Sequence, residues 1–197
     1  MADEAHGEVL EPGEGLDPET RARREAALKH VRKYGDPVLR SRALEINHFD
    51  AALRQEVLRM GRLMHDSYGI GLAATQVGKM HRLLVYRTEL EGTVAALVNP
   101  VLEWASKDKE TSEEGCLSMP GVSVDVERPV HVRVSALDEY GKPLLVEASG
   151  LEARVIQHEM DHLDGVLILD RTTRDERKQA MRILRDSVPA ALGSAAA

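Results

Sequence analysis

The chain has 197 residues, 43% hydrophobic and 30% charged, which suits one domain with a substantial core. Only 3% of residues are aromatic, so the core is expected to be aliphatic, and stacking platforms for single-stranded nucleic acid are not expected. The formal charge of −7 lies wholly in residues 1–20, and the neutral remainder gives no electrostatic case for general nucleic-acid or membrane binding.

Taken in chain order, residues 1–30 read as an acidic extension, rich in Gly and Pro and disordered. No leader, transit pattern or apolar run long enough to span a membrane is visible. The single cysteine, Cys116, excludes an internal disulfide and places a free thiol in a reducing compartment, with the cytoplasm as the expected location. Gly35-Asp36-Pro37 marks a turn. From Asp50 to Tyr68, Leu53, Val57, Met60 and Met64 recur at helical spacing, with Asp50 as cap and Gly69 as stop. Strand candidates follow at 81–87, 93–104, 122–128, 130–138 and 143–148, with a hairpin turn at 139–142. Ser149 and Glu152 form an S-x-x-E capping box for a helix that Gly165 ends. The segment 171–186 reads as a last helix with six bases and three acids. It is either a solvated helix packed by Met181, Ile183 and Leu184 or a docking face. The pattern implies an α+β fold with mainly antiparallel sheets, one domain over 31–186 and a flexible tail over 187–197.

Three stretches carry chemistry. "QHEMDHLDG", Gln157 to Gly165, contains H-E-x-x-H; His158 and His162 are four residues apart and share a helix face. The longer form of this motif places a third histidine at position 168, which is Ile168 here. The pair is therefore either two surface histidines or part of a site whose third donor lies elsewhere. "EEGCLSMPG" holds Cys116 between Gly115 and Pro120. A thiolate there could complete a three-donor site with one open position, or a closed structural zinc site with one of His48, His65, His81 and His131. Alternatively Cys116 is a small buried apolar residue. "GIGLAATQVG", Gly69 to Gly78, opens with G-x-G-x-x-A, but the dinucleotide pattern follows a strand and this one follows a helix. Its small residues suit close backbone approach, with Gln76 as the polar group that reaches a ligand. A tight connection with a surface glutamine is the plainer reading.

Together, "GIGLAATQ" (69–76), "EGCLSMP" (114–120) and "QHEMDHLDG" (157–165) resemble the three motifs of peptide deformylase, in that family's order. "GDPVLR", "NPVL" and "VERP" also resemble its bacterial sequences, and the resemblance runs from about 31 to 185. It implies that H-E-x-x-H lies on a central helix and that 31–186 is a catalytic domain. It further implies Cys116, His158 and His162 as metal ligands and Glu159 as general base/acid toward water activated at the metal. Gln76 and the Leu117 N–H would be oxyanion donors, and the Gly71 backbone would face the substrate. The implied ion is Fe2+, with Zn2+ or Ni2+ able to substitute. The implied substrate is the formyl-methionine end of nascent polypeptides, with ribosome docking through 171–186 and neither sequence-specific nucleic acid nor membrane as partner. Met119 and Arg154 depart from common family residues and are expected to affect the substrate pocket. The alternatives are a general metallopeptidase and a non-catalytic zinc-binding module.

Overall fold

Two helices begin on an aspartate whose carboxylate accepts hydrogen bonds from first-turn N–H groups. Asp17 does this for α1 (Pro18–Leu28) and Asp50 for α2 (Ala51–Asp66). The computed structural model describes residues 15–89 and 92–186, so the expectations for 1–14 and for the tail at 187–197 lie outside the described residues. Residues 18–28, expected within a disordered extension, are instead helical. Asp17 caps Glu19 N and Thr20 N, Pro18 occupies the first helical position, and Ala, Arg and Glu favour the helix that follows.

The strands are β1 (Gly71–Ala73), β2 (Leu83–Tyr86), β3 (Ala95–Ala105), β4 (Lys109–Cys116), β5 (Met119–Pro129), β6 (His131–Leu137) and β7 (Pro143–Ser149). All named pairings are antiparallel: a five-stranded sheet in the order β1-β2-β3-β6-β7, and a separate β4-β5 pair. The expected hairpin joins β6 to β7, with Asp138 accepting from Tyr140 N and Lys142 N across the turn. Two helices complete the chain, α3 (Gly150–Leu163) and α4 (Arg174–Asp186). The molecule is α+β, with antiparallel sheets around α3.

The apolar run of β2 is buried on both faces because a helix covers each. Leu84 and Tyr86 join Ala153, Ile156, Met160 and Leu163 of α3 in one cluster, along with Val132, Val134 and Ala136 of β6. Leu83 and Val85 meet Leu53, Met60 and Met64 of α2 in another. Each fully buried aliphatic side chain contributes roughly 1.5–3 kcal/mol, so α3 is anchored along its length. A third cluster sets Val122, Val124 and Val126 of β5 against Ala180 and Leu184 of α4. Ile183, expected to pack α4, is 38% exposed; the next residue on that helix is the buried one.

The ends of α3 are set by its tertiary surroundings. The expected capping box does not form: Ser149 makes no cap bond, and its Oγ lies 2.8 Å from His131 Nδ1 on β6. Glu152 instead accepts from Tyr86 Oη at 3.0 Å. Gly165 follows the helix with φ +72°, and a Cβ there would lie 2.7 Å from the Arg40 carbonyl oxygen, so only glycine fits this exit.

Candidate metal centre and active site

The middle of α3 carries His158, Glu159 and His162. The two imidazoles meet edge to face with centroids 5.0 Å apart, as their four-residue spacing requires. Cys116 arrives from the end of β4, where the ladder with β5 shifts register between Gly115 and Cys116 and pairs Cys116 with Met119. Its Sγ lies 3.2 Å from His162 Nε2, and one donor atom from each of Cys116, His158 and His162 lies within 4.8 Å of the others. A thiolate with two imidazoles is a donor set suited to a late transition metal, and three donors leave a position open. His81 pairs with Glu56 and His131 with Ser149; among the described residues no fourth ligating group joins the three. The closed structural zinc arrangement therefore does not form among them.

The donors are fixed from behind. His158 Nδ1 lies 2.9 Å from Glu114 Oε2, which leaves its Nε2 for the site. Arg128 grips the same carboxylate through Nε at 2.6 Å and Nη2 at 2.9 Å, and Arg154 Nη1 adds a bond at 2.8 Å. Burial pushes the Glu114 carboxyl up, but Arg128 and His158 outweigh it and hold it at about 2. Burial likewise opposes ionisation of the Cys116 thiol, yet the charges and hydrogen bonds of His162 and His158 hold it well below its usual range. Arg128 also reaches Asp161 at 2.8 Å, and Asp161 in turn accepts from Arg171.

Glu159 is different. It is 4% exposed, and its Oε2 has no hydrogen-bond partner. Burial raises its carboxyl above the ordinary range despite the nearby histidine charges. An acid/base group needs a pKa nearer neutrality than a solvated carboxylate provides, and this environment supplies the shift in that direction. β1 passes directly beside it: a Cβ on Gly71 would sit 2.3 Å from Glu159 Oε1.

Gln76, 1% exposed, lies in the short 3-10 turn after β1. Its Oε1 accepts from Ala73 N at 2.8 Å, which assigns the amide orientation and turns Nε2 toward Cys116 Sγ (3.6 Å) and Ser118 Oγ (3.3 Å). Thr75 Oγ1 ties the same turn to the His162 carbonyl at 3.1 Å. Leu117 follows Cys116, and its carbonyl accepts from Lys33 Nζ at 2.9 Å. All seven candidate residues thus gather at the junction of α3, β1 and the end of β4.

The backing residues Glu114, Arg128, Lys33 and Thr75 were not singled out from the sequence. Arg128 had a legible signal, because it occupies the inward position of β5 in step with Val122, Val124 and Val126. A cation on the buried side of an alternating strand requires a buried partner. Met119 and Arg154, expected to touch a substrate pocket, have other contacts. Met119 is wholly buried in the cluster that Leu39, Leu167 and Leu169 share with β5 and α4, and Arg154 bonds Glu114, the Val126 carbonyl at 2.9 Å and the Glu110 carbonyl at 2.8 Å. Arg154→Leu is therefore expected to cost roughly 1–3 kcal/mol, since it removes three hydrogen bonds, among them the one to the part-buried Val126 carbonyl, while Glu114 keeps its two from Arg128. Urea unfolding of the metal-loaded protein would measure this.

Residues 28–178 match the family model described as polypeptide deformylase. The chain belongs to the polypeptide deformylase family. The peptide deformylase of Acidothermus cellulolyticus is 42% identical over 161 residues, covering 82% of this chain and 88% of that protein. Peptide deformylase 1 of Corynebacterium glutamicum is 47% identical over 163 residues, covering 82% and 96%. A crystal structure of a peptide deformylase from Synechococcus elongatus, in complex with actinonin, superposes with a TM-score of 0.75 at 46% identity, covering 77% of this chain and 85% of that one. Deformylation of nascent chains is this family's activity, and the chain is an enzyme of the family. Peptide deformylases are metalloenzymes, and the cluster of Cys116, His158 and His162 is a possible metal site. Among the described residues, no helix is long and apolar enough to cross a membrane.

Proposed function

We propose that Cys116, His158 and His162 hold one divalent ion, ferrous iron first with zinc or nickel as substitutes, and that Glu159 is the general base and acid. The observation that carries this reading is a buried carboxylate oxygen without a partner, next in sequence to one member of a three-donor cluster. Adjacent helical residues diverge by about 100°, so Glu159 does not compete with His158 for the ion. When bound, the ion supplies Lewis acidity that makes water a nucleophile at neutral pH.

The chain's own residues do the rest. Glu159 takes the proton from the attacking water and returns it to the departing amine nitrogen, releasing formate and a free N-terminus. The Gln76 amide, held by Ala73 N, and the Leu117 N–H stabilise the oxyanion formed on the formyl carbon. Gly71 lets the β1 backbone lie against Glu159, so the formyl end of a peptide beginning with formyl-methionine can be held beside it. A Cβ at this position displaces either the carboxylate or the strand. Gly71→Ala is expected to lower formate release about 100-fold, the order of loss that a misplacement near 1 Å produces. Steady-state kinetics of a variant with unchanged metal content would check this.

The reading places the enzyme in the cytoplasm, where a lone, partly exposed thiol stays reduced and nascent chains appear. Docking to the ribosome through 171–186 completes it. Arg174, Lys178 and Arg182 are exposed there, whereas Arg171 is engaged with Asp161. Ala180 and Leu184 belong to the core, so charge reversal at Arg174, Lys178 and Arg182 is a cleaner test than truncation. Unchanged co-sedimentation with ribosomes at low salt would refute the docking.

The deciding experiment is anaerobic release of formate from formyl-Met-Ala-Ser by nickel-loaded protein, with casein as a parallel substrate. Formate release without casein cleavage is the expected result; casein cleavage without formate would overturn it. Iron-loaded protein is expected to lose activity in air faster than nickel-loaded protein, because iron beside a thiolate is oxidisable. Equal decay would count against oxidation of the thiolate-bound iron as the cause.

A further inference from the structure

Away from the metal cluster, the loop after α1, one face of α2 and the turn that follows Gln76 line an open recess of about 750 Å3. Small-molecule sites commonly span about 300–1,000 Å3. Its apolar lining is Val31, Met60, Leu63 and Val77; Val31 and Met60 are buried at its floor, and Leu63 and Val77 are half-buried. The rim is cationic, with Lys29, Arg32, Lys33, Arg59 and Lys79.

The two acids at this recess are already engaged. Asp36 accepts from Val38 N at 3.0 Å and lies 3.7 Å from Arg32 Nε, and Glu56 is 2.9 Å from His81 Nδ1. Lys33 is also committed, through its bond to the Leu117 carbonyl. The side chains of Lys29, Arg59 and Lys79 have no hydrogen bond or ion pair among the described residues. Unmatched charges of one sign around a recess concentrate positive potential in it and repel one another until an anion enters.

We propose that this recess binds a small organic phosphate, with its phosphate groups on the cationic rim and its apolar body on the Val31, Met60, Leu63 and Val77 lining. Phosphate meets the requirement better than a single carboxylate, because it brings more than one negative charge and several acceptor oxygens to guanidinium and ammonium donors. A nucleic-acid backbone needs a stripe of cations along a surface, whereas these close around a recess with no aromatic platform. The back of the site adjoins the catalytic wall: Arg32 N donates to the Gln76 carbonyl at 2.7 Å, and Lys33 to that of Leu117.

Calorimetric titration of the nickel-loaded full chain with adenosine diphosphate, and separately with inorganic pyrophosphate, tests the assignment. The comparison protein carries Arg59→Glu and Lys79→Glu, which relieve rim repulsion and lie outside the proposed catalytic residues. Arg59→Ala with Lys79→Ala serves if the reversal does not fold. The expected result is saturable binding of one nucleotide, about fivefold or more tighter than pyrophosphate and weakened about tenfold or more in the variant. Equal nucleotide affinity in wild type and variant would place the phosphates at the metal and overturn the proposal. So would the absence of saturable binding, or pyrophosphate binding as tightly as the nucleotide. Formate release without nucleotide, measured on both proteins, keeps a failure here distinct from a failure of the proposed catalytic assignment.

Discussion

Glu159→Gln is expected to lower formate release by about two to four orders of magnitude, the range that a positioned acid/base group supplies, while metal content stays at the wild-type level. The substitution preserves volume and leaves Cys116, His158 and His162 untouched. It also removes a carboxyl whose ionisation is opposed by burial, so thermal stability is not expected to fall. That combination matters, because loss of activity together with loss of metal would indicate damage to the cluster instead. Metal analysis and melting curves on the same preparations separate the two. A variant that retains metal and near-wild-type turnover would remove Glu159 from the mechanism.

Gln76→Leu is expected to lower kcat by about 10²–10³, or roughly 2.7–4 kcal/mol of transition-state stabilisation, with a much smaller change in KM. The amide donor acts on charge that develops only during the reaction, so ground-state binding is barely affected. The same substitution removes the acceptor for Ala73 N, whose bond is 2.8 Å long in a buried turn. Leaving that N–H unsatisfied is expected to cost about 1–3 kcal/mol of stability as well. A fall in kcat measured well below the melting transition, with KM nearly constant, supports the oxyanion role. A loss of stability alone, with kcat intact, would reduce Gln76 to a turn cap.

The legible helices are those whose evidence is local. Leu53, Met60 and Met64 mark one face of α2, and His158 with His162 mark one face of α3, because a 3.6-residue period repeats within a few turns. Asp17 and Pro18 were equally local signals for α1, but the acidic composition around them masked the helix. β4 offers no such pattern. "KETSEEGC" is exposed along most of its length, and its one fully buried side chain is Glu114, a charge rather than an apolar residue. The capping box at Ser149 shows the opposite case, a correct local motif overruled when His131 and Tyr86 take its two polar groups.

The sequence by itself determined that His158, Glu159 and His162 share one stretch of helix and, through three ordered motifs, the family. It could do so because H-E-x-x-H spans little more than one helical turn, and the motifs occur as contiguous words. Only the tertiary structure decided that Cys116, 46 residues before His162, stands 3.2 Å from it, and that Gly71 packs against Glu159. It also decided that Glu114, Arg128 and Arg154 form the buried support of His158. Those relations join residues on β1, β4, β5 and α3. They depend on sheet register and helix packing, and no spacing along the chain encodes such distances.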